Sequence, residues 1–564
     1  MTRLSPGASA PQHRPMSEPR AFPVAIIGGG PVGMMLAMNL DAFGVACVLI
    51  NTDPTTRWHP KGGTQNARTM EHYRRLGLSG RLRKLGMPPD HPTDVAYFTR
   101  LNGWELARIA MPSEAEKMRA VAGASATDQV PEPILRANQM YVEAAVFAQL
   151  PERRHITLRY GWTCRDWRET DDGVELEIVE EASGRRETVR ALYLVGCDGG
   201  HSIVRRKLGI AYGGGDPEKQ SYMGGTMVAT HLRSRGFYGA IPHKRGYQYW
   251  AVNPEIRSNV MVLNGKDEFI VMSQLASPDD KPDEREIARR IIACVGQEID
   301  LEFLAHATWT AGYAHVADRY WQGRAFLAGD SVHLFTPSGG FGMNTGIDDG
   351  ANLGWKLAAV VQGWGGPSLL ATYEAERRPV AFRNTAASKA LTRNIGAVPV
   401  DLAIEEDSSA GAIAREKTGR FLSTFAEEFA SIGIQLGARY DGSPIVASDG
   451  TAPPPDDPAI YLPSATPGGR TPHLWLRDRS SLFDRLGPGF TLLRLPGPPP
   501  NTRPLERAAQ QRRVPLALVT IDLPEGRDLY QRSLALVRPD QHVAWRGDAL
   551  PEDCSALVAR VTGW

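Results

Sequence analysis

Cysteine is scarce in this sequence, and the few cysteines are scattered. Only five of the 564 residues are cysteine. No two of them form a Cys-x-x-Cys pair, and none lies in a cysteine and histidine cluster with zinc spacing, which argues against a disulfide scaffold and a structural zinc site. Isolated cysteines are typical of a reducing compartment, so we expect a cytoplasmic protein without a bound metal.

The sequence also has no excess of charge of either sign. Lysine and arginine number 64, aspartate and glutamate number 63, and the formal net charge is +1. Because nucleic-acid binding needs a basic face that displaces counterions, we expect no nucleic-acid partner. Charged residues at 23% and apolar residues at 42% are ordinary globular values, which exclude bulk disorder and a polytopic membrane protein.

One stretch, residues 21–40, carries no charge for 20 residues. Its length is that of a transmembrane helix, and the arginines before it resemble the start of a signal peptide. The glycines and proline at 28–31 would break a spanning helix in its middle, so we predict no membrane partner. Residues 1–21 are rich in proline, serine and arginine and are predicted to form a disordered tail.

The uncharged stretch has the pattern of a strand, a tight turn and a helix. Residues 23–27 are continuously apolar, as in a buried parallel strand, and a Gly-x-Gly-x-x-Gly sequence follows at 28–33. An apolar helix over 34–43 and a second apolar strand over 45–50 complete a βαβ unit. Such a unit predicts dinucleotide binding, with the phosphates at the helix N-terminus.

One position departs from the usual dinucleotide-binding pattern. The acid that normally ends the second strand and holds the ribose hydroxyls is replaced by Asn51. Asn51 can still accept a hydrogen bond from ribose, more weakly than a carboxylate, and Asp53 lies two residues further on. Either residue could therefore take this role.

Two later apolar strands each end in a carboxylate. The first runs over 192–197 and delivers Asp198, and the second runs over 324–328 and delivers Asp330 after a glycine. A glycine-rich segment at 337–344 and a predicted helix over 347–361 follow the second. Doubly wound α/β folds bind their ligands at the carboxyl ends of such strands.

The order of these motifs, GxGxxG, CDGxxSxVR and GDxxHxxxPxxGxGMN, resembles that of the single-component FAD-dependent aromatic hydroxylases, the phenol hydroxylase-like monooxygenases. The resemblance runs from about residue 22 to 390. It implies an α/β fold with a Rossmann-like FAD-binding domain of the para-hydroxybenzoate hydroxylase type, an interleaved β-sheet substrate domain and a C-terminal thioredoxin-like α/β domain.

The resemblance also implies which residues hold FAD. Arg68 and Gln139 match positions near the pyrophosphate and ribityl chain, Asp330 matches the aspartate that binds the ribityl hydroxyls, and 342–344 match a helix N-terminus at the flavin pyrimidine ring. The cofactor-binding residues implied are Gly28, Gly30, Pro31, Gly33, Asn51, Arg68, Arg136, Gln139, Asp198, Gly199, Gly329, Asp330, Pro337, Gly340, Gly342, Met343 and Asn344. His333 is interpreted as a structural histidine.

The resemblance implies the reaction as well. NADPH or NADH would reduce FAD, O2 would form a flavin C4a-hydroperoxide, and its distal oxygen would pass to a phenolic or polycyclic aromatic substrate. The alternatives are Baeyer–Villiger oxygen insertion into a ketone, a redox-silent FAD-binding protein that stabilises a labile intermediate, and a membrane-linked epoxidase, which the lack of an anchor disfavours. FAD motifs are common to the two oxygenase reactions and do not separate them.

The substrate site is expected in the segment 213–308, which alternates like an antiparallel sheet. His243, Tyr249 and Trp250 are candidates for its lining, although packing within the sheet is the favoured interpretation of each. No residue in this segment is indicated as a general base.

Composition divides the chain further. The predicted divisions are 22–212 and 309–395 for the FAD-binding domain, 213–308 for the substrate domain, 396–440 for a helical region, 441–469 for a linker rich in proline and glycine, and 470–564 for the thioredoxin-like domain. That last domain has no Cys-x-x-Cys, so we expect it to support packing or a homodimer rather than thiol exchange.

Overall fold

The computed structural model describes residues 20–213, 226–275, 277, 279–310, 314–396, 398–429, 431–498 and 500–564. The predicted tail over 1–21 lies outside these ranges except for its last two residues. Within the described ranges, no helix is both long and apolar enough to cross a membrane.

Strands are distributed over the whole described chain. In chain order they are Arg20–Ile27 (β1), Cys47–Asn51 (β2), Thr64–Gln65 (β3), Val95–Phe98 (β4), Glu105–Ile109 (β5), Leu135–Arg136 (β6), Ile156–Tyr160 (β7), Trp162–Glu169 (β8), Val174–Glu180 (β9), Arg186–Gly196 (β10), Tyr212–Gly213 (β11), Thr226–Arg233 (β12), Gln248–Val252 (β13), Arg257–Val262 (β14), Glu268–Gln274 (β15), Glu302–Thr310 (β16), His315–Ala317 (β17), Trp321–Gln322 (β18), Ala325–Leu327 (β19), His333–Leu334 (β20), Phe490–Arg494 (β21), Leu516–Thr520 (β22), Leu534–Val537 (β23) and Val543–Gly547 (β24).

Helices alternate with these strands. They are Pro31–Ala42 (α1), Ala67–Arg75 (α2), Ser79–Leu82 (α3), Glu114–Ala122 (α4), Gln139–Phe147 (α5), Ile203–Lys207 (α6), Glu284–Val295 (α7), Phe341–Val361 (α8), Thr372–Gly396 (α9), Ser409–Ser423 (α10), Ala426–Phe429 (α11), Ile432–Leu436 (α12), Arg503–Gln511 (α13), Pro524–Tyr530 (α14) and Cys554–Thr562 (α15).

The first sheet has the main strand order β18-β19-β10-β1-β2-β7, and a branch of β9 and β8 joins it through β10. The central strand β1 runs parallel to β2 and β10, and β19 runs parallel to β10. The predicted βαβ unit is therefore confirmed. Helix α1 is apolar on nearly all sides because it packs between this sheet and α8. The carboxyl ends of the parallel strands meet at one edge, where their polar loops converge.

The second sheet has the order β16-β12-β15-β14-β13-β4-β5. Its strands β4 and β5 come from residues 95–109, so the predicted substrate domain at 213–308 leaves out one end of the sheet. The pairing of β4 with β13 joins Val95 to Gln248 across the chain, and no local pattern indicates so distant a partner. One face packs against α7, and the other packs against α10.

The C-terminal domain has the order β22-β21-β23-β24, with β21 parallel to β22 and antiparallel to β23. Together with α13, α14 and α15 this is the thioredoxin-like arrangement. The predicted linker at 441–469 has no helix or strand, but it packs against the C-terminal domain through backbone hydrogen bonds. Ala447 N donates to Ala544 O and Gly468 N donates to Val543 O, both at 2.8 Å.

Candidate functional site

A cavity of about 590 Å³ opens at the carboxyl edge of the first sheet. Its walls come from the loops that follow β1, β2, β10 and β19 and from the start of α8. The predicted cofactor residues in its lining are Gly28, Gly30, Pro31, Asn51, Gln139, Asp198, Gly199, Asp330, Pro337, Gly340, Gly342 and Met343. The structure thus brings together motifs that are up to about three hundred residues apart in the chain.

The glycine loop lets the backbone approach a ligand closely. Gly28 has φ of +105°, which a residue with a side chain rarely adopts, and a Cβ on Gly33 would overlap the carbonyl oxygen of Gly28. A Cβ on Gly30 would meet nothing within 4 Å. Helix α1 starts at Pro31 without a side-chain cap or an acidic residue in its first turn, so its free N–H groups suit a phosphate.

The Asn51 side chain stabilises the glycine loop through hydrogen bonds. Its Oδ1 accepts a hydrogen bond from Gly29 N at 2.9 Å, and its Nδ2 donates to Asp53 O at 3.0 Å. The Asp53 carboxylate in turn accepts from Arg57 Nε at 2.8 Å. Asn51 therefore has a structural role within the glycine loop, and contact of either residue with ribose stays a prediction.

The two strand-ending aspartates differ in their partners. Asp198 accepts from Ile203 N, the first amide of α6, at 2.7 Å and also accepts from Ser331 Oγ at 3.2 Å. The Asp330 carboxylate makes no hydrogen bond to another described residue and is exposed to the cavity. Desolvation raises the pKa of Asp330, although the charges of His333 and Lys61 oppose the rise. Asp330 is thus available to accept hydrogen bonds from a ligand.

Helix α8 points its N-terminus at the same cavity. Gly339 and Gly340 have φ of +78° and +64°, and this left-handed turn starts the helix without a side-chain cap. The free amides of its first turn, at Gly342 and Met343, lie in the cavity wall. Asn344 lies behind the wall, where its side chain accepts from Asn66 N at 3.0 Å and donates to the residue-64 carbonyl at 3.0 Å.

Two predicted FAD residues lie elsewhere. Arg68 does not line this cavity, because α2 turns it towards the C-terminal domain, where it donates to Gln541 Oε1 and Asp540 O, both at 2.7 Å. Arg136 lies in a second cavity, where its guanidinium stacks 5.1 Å from the ring centre of Tyr247. Gly33 and Gly329 support the first cavity from behind without lining it.

The second cavity, of about 450 Å³, adjoins the first. One wall is a face of the second sheet, with Met261, Ile270 and Met272, and the opposite wall includes Glu428 and Phe429 of α11. The residues that line both cavities are His59, Lys61, Gly62, Thr64, Pro337 and Gly340. This second cavity is therefore a largely apolar chamber that opens onto the first cavity near the start of α8.

None of the three predicted substrate residues lines this chamber. Tyr249 is fully buried on the opposite face of the sheet, where its hydroxyl accepts from Gly246 N at 2.8 Å. Trp250 stacks on Tyr97 beneath the chamber wall. His243 Nε2 donates to a carbonyl 2.7 Å away at position 103. Because successive strand residues alternate between faces, Gln248 reaches the chamber and Tyr249 does not, so sheet packing is the observed role.

His333 is also structural, as predicted. It is fully buried, and its Nε2 lies 2.6 Å from Asp349 Oδ2, which also accepts from Gly329 N at 3.2 Å. Burial alone would raise the pKa of Asp349, but the charges of His333 and Arg377 hold it below its ordinary value. This group fixes the turn that presents Asp330.

Several residues that line the chamber were not predicted from the sequence. Lys61 and His59 lie in a loop without a recognisable motif, and Glu428 lies in the helical region after the last FAD motif. The glycine pair at 62–63 is a weak sequence signal that another group approaches the backbone closely there. In the structure that group is Tyr247, because a Cβ on Gly63 would overlap its hydroxyl.

Comparison with known proteins agrees with this geometry. A family described as "FAD binding domain" matches residues 21–388, and one described as "Aromatic-ring hydroxylase, C-terminal" matches residues 464–564. The chain belongs to the FAD-dependent aromatic-ring hydroxylases. The hydroxylase is an FAD-dependent monooxygenase, an activity that also uses NAD(P)H and O2.

Individual relatives resemble this hydroxylase over most of its length. The FAD-dependent monooxygenase apdD of Emericella nidulans is 34% identical, with 96% of this chain and 90% of the relative covered. The 4-methyl-5-nitrocatechol 5-monooxygenase of a Burkholderia species is 31% identical, with 97% and 98% covered. The solved structure of the rebeccamycin biosynthetic enzyme RebC with reduced flavin superimposes with a TM-score of 0.86 at 34% identity, with 97% and 100% covered.

Proposed function

We propose that this hydroxylase adds one oxygen atom to the ring of a phenolic or polycyclic aromatic substrate. The observation that carries the proposal is the chamber of about 450 Å³ with apolar walls, which adjoins the FAD cleft at the turn before α8. A chamber of that size lies within the usual range for sites that enclose a small organic molecule. The name of the nitrocatechol monooxygenase relative supports a phenolic ring.

The residues of the cleft fit FAD. We propose that the free amides at the start of α1 hold the pyrophosphate, that Asp330 accepts from the ribityl hydroxyls, and that the start of α8, at Gly342 and Met343, faces the flavin ring. When bound and reduced by NADPH or NADH, FAD supplies the activation of O2. The positive end of α8 stabilises negative charge on the ligand beside it.

The chain's own contribution to the reaction is placement and exclusion of water. Met261, Ile270 and Met272 form an apolar wall that holds an aromatic ring by burial rather than by hydrogen bonds. Gln248 and the Arg136 side chain supply polar groups in the same lining, which fix the orientation of the ring. The predicted cytoplasmic location and homodimer stay predictions.

The test is NAD(P)H oxidation by the purified FAD-loaded protein with a panel of phenols, polycyclic phenols and ketones, followed by product identification. We expect substrate-dependent oxidation with phenols and a product that has one more ring hydroxyl by NMR. Turnover of ketones alone, with esters or lactones as products, would replace the proposal by oxygen insertion. Absence of substrate-dependent oxidation with every compound would favour a redox-silent role.

A further inference from the structure

The substrate chamber contains one carboxyl group among its described lining residues. Glu428 lies in α11, on the wall that faces the second sheet. Its neighbours in the lining are mostly apolar, and its position leaves it half-buried. A carboxyl group at such a place requires an explanation, because burying an unpaired carboxylate is unfavourable.

The carboxyl group is anchored at the boundary between the two cavities. Gly339 N donates to Glu428 Oε1 at 3.2 Å. Gly339 lies in the turn from Pro337 to Gly340, whose first and last residues line both the chamber and the FAD cleft. Glu428 therefore lies at the end of the chamber that adjoins the first cavity, where FAD would bind.

Burial brings the pKa of Glu428 close to neutral pH, so that its carboxyl group can both accept and release a proton. The titratable groups that line the chamber with it are His59, Lys61, Arg136 and Tyr247. Burial raises the pKa of Glu428 to about 7, against the opposing effects of the Gly339 hydrogen bond and the Arg136 charge. Burial also raises the pKa of Tyr247 and lowers that of His59, so both are neutral at neutral pH.

We propose that Glu428 is a catalytic residue that accepts the proton of the substrate's ring hydroxyl, an inference that rests on the proposed function. The O–H bond of the phenol breaks, the proton passes to a Glu428 carboxylate oxygen, and the electron pair stays on the ring oxygen. The resulting phenolate is richer in electrons at its ortho and para carbons and reacts more readily with an electrophilic oxygen. The carboxylic acid releases its proton to water after the product has left.

Arg136 favours the same transfer. Its guanidinium lines the chamber and carries a permanent positive charge, which stabilises a phenolate more than a neutral phenol. The negative charge that leaves Glu428 appears on the ring oxygen, so the total charge in the chamber is unchanged. No charged group has to enter or leave the apolar space during the step.

The experiment compares the holoenzyme with Glu428→Gln, Glu428→Asp and the control Glu416→Gln. Glutamine has nearly the same shape, and its carbonyl can still accept from Gly339 N, so the change removes the ionisable carboxyl group and its charge but keeps this hydrogen bond. Glu416 lies on α10 with 67% of its side chain exposed and pairs with Arg420. FAD content and melting temperature are recorded for each variant to show that it is folded.

Two phenols that the wild type hydroxylates serve as probes, one of which carries a nitro group that makes it more acidic. For the weakly acidic phenol, we expect Glu428→Gln to lower kcat by roughly a hundredfold, the scale of general base catalysis. For the nitrophenol, which ionises without help, we expect a much smaller loss. Substrate affinity, measured without NAD(P)H from the change in flavin absorbance, should hardly change.

The pH profile distinguishes proton transfer from a structural role. In the wild type, kcat/KM should fall as the pH decreases below about 7, because the carboxylate is the base. Glu428→Asp should keep this acid limb and Glu428→Gln should lose it. Equal losses on both phenols, or an acid limb that persists in Glu428→Gln or disappears only in His59→Gln, would overturn the assignment. A wild type that hydroxylates no phenol would instead contradict the proposed function.

Discussion

Two glutamates in this hydroxylase, Glu376, which is fully buried, and Glu428, which is half-buried, behave in opposite ways. Glu376 lies in the interface between the FAD-binding and C-terminal domains, where it accepts from Lys356 at 2.6 Å and from Arg538 at 2.7 and 2.8 Å. Burial would raise its pKa, but these two cations lower it to about 2. Glu428 in the chamber has no such contact among its described neighbours, and burial raises its pKa to about 7.

The difference teaches how to separate structural from chemical carboxylates in this fold. Where the chain supplies a bonded cation, as for Glu376, the carboxylate is fixed in one charge state and holds two domains together. Glu428 accepts one described hydrogen bond, from a backbone amide, and the Asp330 carboxylate accepts none from a described residue. Both carboxyl groups face a cavity and are available to a ligand. Desolvation raises the pKa in all three cases, so the bonded cation is what separates the two classes.

The largest expected effect is in the interface. Arg538→Met removes the guanidinium that bonds both Glu376 and Asp540, which leaves two buried carboxylates short of a partner. We expect the free energy of unfolding to fall by about 3–5 kcal/mol, the usual result of breaking a buried ion pair from one side. Chemical denaturation measures it, and an unchanged midpoint would show that the interface charges are not what stabilises the docked domain.

The next effect concerns the cofactor. Asp330→Ala removes a carboxylate that the chain itself does not use, so the fold should persist while FAD affinity falls roughly ten- to a hundredfold, the scale of hydrogen bonds to a charged group. The measurement is flavin absorbance per protein after dialysis, followed by FAD titration. Asp330→Asn keeps an acceptor oxygen and should lose less. Full flavin content in the alanine variant would remove the role given to Asp330.

A third prediction uses pH to compare the two glutamates directly. Because folding raises the pKa of Glu428, its ionisation opposes folding, and Glu428→Gln should stabilise the ligand-free protein by up to about 3 kcal/mol above pH 7 and much less near pH 5. Glu376→Gln should instead destabilise the protein at neutral pH, since the lowered pKa of Glu376 marks a favourable ionised state. Thermal unfolding at the two pH values tests both predicted signs. If both variants shift the melting temperature in the same direction, the two glutamates do not differ as described.

The smallest effect is expected on the far face of the second sheet. Tyr249→Phe removes a hydroxyl that accepts from Gly246 N and lines neither of the two cavities. We expect a loss of about 1 kcal/mol in stability and no change in kcat/KM. A large loss of activity at unchanged stability would show that Tyr249 takes part in the substrate site.

The FAD cleft was largely predictable from the sequence because each of its motifs is a local pattern of neighbouring residues. The turn at 28–33 and the carboxylates Asp198 and Asp330 each directly follow an apolar strand, and parallel strands bring such ends together. The chamber was not predictable in the same way. Glu428 reaches it from a helix far along the chain, and β4 joins the second sheet through a pairing that no local pattern specifies.

Arg68 shows the limit of transferring a role by motif alone. The residue matches the family pattern in sequence, but the packing of α2 against the C-terminal domain gives its guanidinium other partners. Such competition between partners depends on a domain that begins some four hundred residues later in the chain. The helix itself carries no sign of it.

The most direct measurement is a titration of the Glu428 carboxyl group in the ligand-free holoenzyme. The infrared carboxyl bands of the wild type minus those of Glu428→Gln isolate this one group as the pH is varied. We predict a midpoint near pH 7, above the ordinary value of 4.5. A midpoint at or below that ordinary value would show that Glu428 is already paired and ionised, and would contradict its role as the proton acceptor.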